Sequence, residues 1–146
     1  MGSLTTLAGD SIYLDANVFI YAVEGLPSAA AKLASLFQRI DRGDFRAFTS
    51  QLTLAEVLVK PIRSNDAAIR GPYEQMVRTA GSLTVVDVSR DVLVGAATLR
   101  AGMSIKLPDA IHASTALREG CTTFVTNDQR FVAVPNLPVL LVNDLP

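Results

Sequence analysis

Ile12-Tyr13-Leu14-Asp15-Ala16-Asn17-Val18-Phe19 sets three apolar residues, one acid and the start of an apolar-rich segment in a row. Three apolar residues suit a short strand covered on both faces. Asn17 reads as a helix N-cap ahead of Val18, Phe19 and Tyr21. A strand that runs straight into a helix is the opening of a parallel α/β unit. Asp15 then stands at the carboxyl end of that strand. A charge placed directly after three buried residues, with no basic neighbour in sequence, needs a partner.

The same alternation continues outward. Pro27 and Ser28 start a second helix, with Ala30, Leu33, Phe37 and Ile40 at helical spacing and Gly43 as its stop. Arg46–Thr49 reads as a strand and Leu52–Val59 as a helix that Pro61 ends or kinks. Asp66–Ala80 reads as a helix interrupted at Gly71-Pro72, and Leu83–Val88 as the third strand. Helices from Asp91 to Gly102 and from Pro108 to Arg118 follow, with Gly120 as a stop. Thr122–Thr126 and Val139–Val142 complete five strands. Short apolar strands alternating with helices predict a parallel sheet covered on both faces. Such sheets bind ligands beyond the carboxyl ends of their strands, where strand order reverses.

At 146 residues the chain has the length of one domain and buries about two-thirds of the surface its unfolded form exposes. Nearly half of the residues are apolar (49%), so a core needs no disulfide or structural zinc. The one cysteine, Cys121, reads as a small core residue in a reducing compartment. With a single histidine, His112, triads and zinc sites are poorly supplied. No secretory or membrane-spanning segment is visible, which predicts a cytoplasmic protein. The net charge of −1 excludes a chain that binds nucleic acid through bulk charge. A nucleic-acid substrate would require a local basic patch, for which Arg39, Arg42, Arg46, Lys60, Arg63 and Arg70 are candidates; solvated helix faces explain them equally well.

Four acids fall on the predicted carboxyl edge: Asp15 and Asp128 after strands, Glu56 and Asp109 early in helices. Each has a local alternative. Thr53-x-x-Glu56 matches a capping box. Asp109 after Pro108 suits the positive end of a helix dipole. Asp128 suits the turn Asn127–Arg130. Taken together, clustered carboxylates repel unless a hard divalent cation holds them, which points to Mg²⁺ or Mn²⁺ and to work on phosphate.

Four blocks carry a resemblance: Tyr13-Leu-Asp-Ala-Asn-Val-Phe-Ile-Tyr21, Leu54-Ala-Glu-Val-Leu58, Leu107-Pro-Asp-Ala-Ile-His-Ala-Ser-Thr-Ala116 and Phe124-Val-Thr-Asn-Asp-Gln-Arg-Phe131. In order and spacing they resemble the PIN-domain family of metal-dependent ribonucleases, specifically the VapC-like toxins of bacterial toxin–antitoxin pairs. The resemblance covers nearly the whole chain. It implies one PIN-like domain over residues 1–146, a three-layer α/β/α sandwich with a five-stranded parallel sheet ordered 3-2-1-4-5. It also implies an Mg²⁺- or Mn²⁺-dependent endoribonuclease whose catalytic and metal-site residues are Asp15, Glu56, Asp109 and Asp128. Asp15 and Asp109 would bind metal directly or through water, while Glu56 and Asp128 would act through water or on a second ion. Asn17, Thr126 and Asn127 would support the site or contact substrate, with capping or turn formation as the open alternative. His112 reads as a proton-transfer group or a hydrogen-bonded helix histidine, and Lys106 as a substrate contact or an exposed lysine. The implied partners are RNA, a second copy of the chain, and an antitoxin lying across the groove. Leu52–Ile62 and Phe19–Leu36 are candidate docking segments, although core packing accounts for the same residues.

Two other function classes fit parts of this pattern. A catalytically silent PIN-like module would bind RNA or protein without cutting. A phosphatase of the haloacid-dehalogenase type is also led by an aspartate after the first strand, yet Asn17 stands where its second acid would be.

Overall fold

The structure, a computed structural model, describes residues 11–146; residues 1–10 of the expected domain lie outside the described residues. Five parallel strands, β1 (Ser11–Leu14), β2 (Arg46–Ser50), β3 (Leu83–Val86), β4 (Thr123–Thr126) and β5 (Val139–Leu141), form one sheet in the order β3-β2-β1-β4-β5. Six α-helices connect or flank them: α1 (Ala16–Glu24), α2 (Ala30–Asp41), α3 (Gln51–Arg63), α4 (Ala67–Met76), α5 (Arg90–Gly102) and α6 (Leu107–Arg118). The fold class and strand order are those expected from the sequence.

Alternation along the strands splits the core into two layers. Ile12, Leu14, Ala47 and Val125 pack with Val18, Phe19, Leu33, Leu36, Val57 and Tyr73 of α1–α4. On the opposite face Tyr13, Phe48 and Phe124 pack with Ala113 and Ala116 of α6. Register pairs Tyr13 with Phe124, and their rings stack at 5.1 Å and 6°.

Several local expectations are corrected. α1 is capped by Asp15 and not by Asn17, because the Asp15 carboxylate accepts from the Val18 amide. α3 is capped by Ser50. Thr53 is buried and shares a hydrogen bond with Thr49, so no capping box with Glu56 forms. α2 begins at Ala30, since Pro27, Ser28 and Ala29 form a turn ahead of it. α3 runs through Pro61 to Arg63. A proline this close to a helix end removes a single backbone bond, and its buried ring compensates by packing. α4 likewise continues through Gly71-Pro72, anchored by Tyr73, which is fully buried and hydrogen-bonded to Glu24. β3 stops at Val86, two residues short of expectation. Among the described residues no helix is long and apolar enough to cross a membrane.

Candidate functional site

Strand order reverses beside β1, which has β2 on one side and β4 on the other. Register aligns Leu14 with Val125, and the Asp15 amide donates to the Val125 carbonyl at 3.3 Å. Asp15, just past β1, therefore meets Thr126, the last residue of β4. The Thr126 hydroxyl donates to Oδ2 of Asp15, while Oδ1 accepts from the Val18 amide at 3.3 Å. Asp15 is only 3% exposed. Burial pushes its carboxyl up to about 6, against the opposing pull of the Thr126 hydroxyl, His112 and the amides of Val18 and Asn17. A buried carboxylate left at that value is one that a cation would stabilise.

Thr126 uses its hydroxyl twice. It also accepts from the Asp128 amide at 3.0 Å, which ties the start of the next turn to the Asp15 carboxylate. Asp128 caps a short 3-10 helix over Gln129–Ala133, where Oδ1 accepts from the Arg130 amide at 2.9 Å. The Arg130 guanidinium grips the same carboxylate: Nε lies 3.0 and 3.1 Å from its two oxygens and Nη2 lies 2.6 Å from Oδ2. That contact holds the Asp128 carboxyl below its ordinary value. Nη2 is also 4.0 Å from Oδ2 of Asp109, in the first turn of α6. Burial raises the Asp109 carboxyl; Arg130 opposes this and Asp128 adds to it, while His112 lowers it and Glu56 raises it by less. Asp109 thus lies in the fields of both Asp128 and Glu56.

Glu56 sits in α3 and is reached from α6. His112 Nε2 is 2.5 Å from Oε1 of Glu56, and Nδ1 is 2.6 Å from the Tyr13 hydroxyl. Tyr13 is fully buried, and burial raises its phenol well above the ordinary value, so it stays a hydroxyl and donates. The Glu56 carboxylate can only accept, so the proton between them belongs to Nε2, and in the neutral ring Nδ1 accepts from the Tyr13 hydroxyl. His112 is one turn beyond Asp109 on the same helix, so α6 supplies a carboxylate and the group that holds another.

The remaining expected residues are placed less centrally. Asn127 donates to the Tyr21 hydroxyl at 3.2 Å, bracing the β4 turn on α1. Asn17 is half-buried in the first turn of α1. Lys106 precedes α6 and is exposed. Two features were not evident from the sequence: Arg130 as the partner of Asp128, and Tyr13 as the support for His112. A basic residue two positions after Asp128 was the available signal for the first. The second depends on a contact between positions 99 apart.

Among the described residues no three His, Cys, Asp or Glu side chains converge closely enough to hold an ion by themselves. The donor chemistry nonetheless fits a hard cation. All four acids offer oxygen, and Mg²⁺ is commonly held by one or two carboxylates, with water completing its shell. Arg130 already acts as a stand-in cation between Asp128 and Asp109.

Solved structures with the same fold include a chain of the VapBC2 complex of Rickettsia felis bound to a promoter DNA fragment. It is 23% identical, has a TM-score of 0.71, and the match covers 90% of this chain and 98% of that one. A chain of a toxin–antitoxin complex from Klebsiella pneumoniae is 19% identical over 90% and 97%, with a TM-score of 0.67. VapC20 of Mycobacterium tuberculosis, described as a Sarcin-Ricin loop cleaving toxin, is 16% identical over 85% and 95%, with a TM-score of 0.68. No curated protein matches the chain. The PIN domain model matches residues 12–137, a span that takes in all four acids, and the chain belongs to the PIN domain family.

Proposed function

We propose that this chain is a divalent-cation-dependent endoribonuclease and the toxin of a toxin–antitoxin pair. The observation that carries the proposal is the buried Asp15 carboxylate, raised to about 6 and facing the edge where strand order reverses. The likeness to toxin–antitoxin complexes, and to one toxin described as cleaving the Sarcin-Ricin loop, supports it.

Asp15 and Asp109 are the direct or water-bridged ligands in this reading, with Glu56 and Asp128 acting through water or on a second ion. When bound, Mg²⁺ or Mn²⁺ supplies a Lewis acid and an activated water. The reaction class is phosphodiester hydrolysis: a water oxygen bonds to phosphorus and the ester P–O bond breaks. His112 fixes Glu56 through Oε1, which leaves Oε2 to accept a proton from the attacking water. Thr126 holds Asp15 and Asp128 in register, and Arg130 offsets charge beside Asp109.

An antitoxin would lie in the apolar groove of about 310 Å³ between α1, α2 and α4, lined by Tyr21, Leu33, Phe37 and Met76. That groove overlaps the Phe19–Leu36 segment. A basic antitoxin side chain would pair with the carboxylates as Arg130 does and compete with metal. A homodimer and a cytoplasmic location complete the proposal.

RNA cleavage with Mg²⁺ or Mn²⁺ tests the reading. Asp15→Ala and Asp109→Asn should each abolish cleavage, and wild-type activity in both would overturn the mechanism. The grip of Arg130 on Asp128 favours a second reading, a module that binds RNA without cutting. Binding without metal-dependent cleavage by the wild type would establish that one.

A further inference from the structure

A cavity of about 380 Å³ adjoins Asp109 and is lined by Arg100 and Met103 near the end of α5, by Ile105 and Lys106 from the following loop, and by Arg130. Three cations and one carboxylate surround it, in a chain whose net charge is −1. With Arg130 set against Asp128, Arg100 and Lys106 remain as the cations beside the acids.

Two of the three cations are held in place. Nη1 of Arg100 donates to the Ile105 carbonyl at 2.5 Å, which leaves the rest of that guanidinium for a ligand. Arg130 is fixed by the Asp128 carboxylate. A guanidinium held by one partner presents its remaining donors at little further entropic cost, which suits a phosphate. Met103 and Ile105 add an apolar wall against which a nucleobase or ribose can lie.

We propose that this cavity is a nucleotide subsite for single-stranded RNA. Arg100 and Lys106 bind the phosphate next to the scissile one, and Met103 and Ile105 contact its base or sugar. The inference rests on the nuclease reading for its choice of ligand. A chain that presents one phosphate to Asp109 must continue somewhere, and this cavity is the adjoining space that carries opposite charge. Arg130 faces both the cavity and the acids, so it bridges the subsite and the reacting centre.

The test uses the Asp15→Asn protein, which the nuclease reading expects to bind without cutting, and a fluorescently labelled single-stranded oligoribonucleotide followed by anisotropy. Adding Arg100→Gln with Lys106→Gln should weaken binding by at least about 10-fold. The slope of log affinity against log salt should fall by about 1.4, the expectation for two lost contacts to a single strand. Arg100→Lys should retain most of the affinity. Unchanged affinity and salt slope in the double variant, with an unchanged melting temperature, would overturn the subsite. Tighter binding of a polyglutamate peptide than of RNA, lost in the same variant, would overturn it in favour of an acidic protein segment. Cleavage is scored separately. A wild-type chain that never cuts RNA but binds it through Arg100 and Lys106 fails the nuclease reading and keeps the subsite.

Discussion

The Thr126 hydroxyl donates to Oδ2 of Asp15 across 111 positions of sequence, and the parallel register of β1 and β4 makes the contact. One hydroxyl thus satisfies a buried carboxylate and, through the Asp128 amide, fixes the turn that carries a second acid.

Thr126→Val keeps the shape and removes both hydrogen bonds. Asp15 would lose its side-chain donor while remaining buried, at a cost of about 1–3 kcal/mol. Unfolding should show that loss, and RNA cleavage should fall by at least about 10-fold. Thr126→Ser should restore most of both. Equal behaviour of the valine and serine variants would show that the hydroxyl has no role.

His112 links Tyr13 to Glu56, so His112→Ala leaves a fully buried hydroxyl without a partner. Denaturant unfolding should show a loss of about 2–4 kcal/mol, from the cavity and the unpaired phenol together. Tyr13→Phe should cost less. In a double-mutant cycle the two changes should be non-additive, because each removes the same hydrogen bond.

Asp15 also sets a pH dependence. Its ordinary value is 3.8 and its folded value about 6, with burial the main cause. Between those values the unfolded chain has released the proton that the folded chain keeps. This residue's contribution therefore favours folding at low pH and is lost as pH rises from about 4 to about 6. The full effect is on the order of 3 kcal/mol. Without metal, wild-type stability relative to Asp15→Asn should fall through that window, and Mn²⁺ should restore it above pH 6. A difference that is flat with pH would contradict the burial argument.

Much of this was legible in the sequence. The apolar triplet ending in Asp15 located β1, and the run Thr123–Thr126 ahead of Asp128 located β4. Right-handed crossovers put the starts of the helices that carry Glu56 and Asp109 on the same predicted edge. Local signals misled where tertiary packing overrode them. Thr53 matches a capping box, but its hydroxyl bonds Thr49, and Glu56 instead bonds His112. Pro61 and Pro72 read as breaks, yet both lie inside helices. Arg130, two positions after Asp128, is the one local sign of the clamp, and an exposed arginine beside a capping aspartate would look the same in sequence.

Arg130 neutralises Asp128 and approaches Asp109, so it opposes a metal ion there. Arg130→Gln should lower the Mn²⁺ concentration needed for half-maximal binding by a few-fold, while weakening RNA binding. Calorimetry and anisotropy measure the two separately.

α5 packs closely on α6, the helix whose first turn carries Asp109. A Cβ at Gly95 would stand 2.3 Å from the Ser114 hydroxyl, which donates to the Val92 carbonyl at 2.8 Å. Gly95→Ala should destabilise by about 1–3 kcal/mol. Pairing it with Ser114→Ala should recover part of that loss in thermal unfolding.

An Mn²⁺-soaked crystal read by anomalous scattering tests the central claim most directly. The account predicts a peak within coordination or one-water reach of the Asp15 and Asp109 carboxylates, absent from a soaked Asp15→Ala crystal. A fully soaked wild-type crystal with no manganese at those two side chains would contradict it.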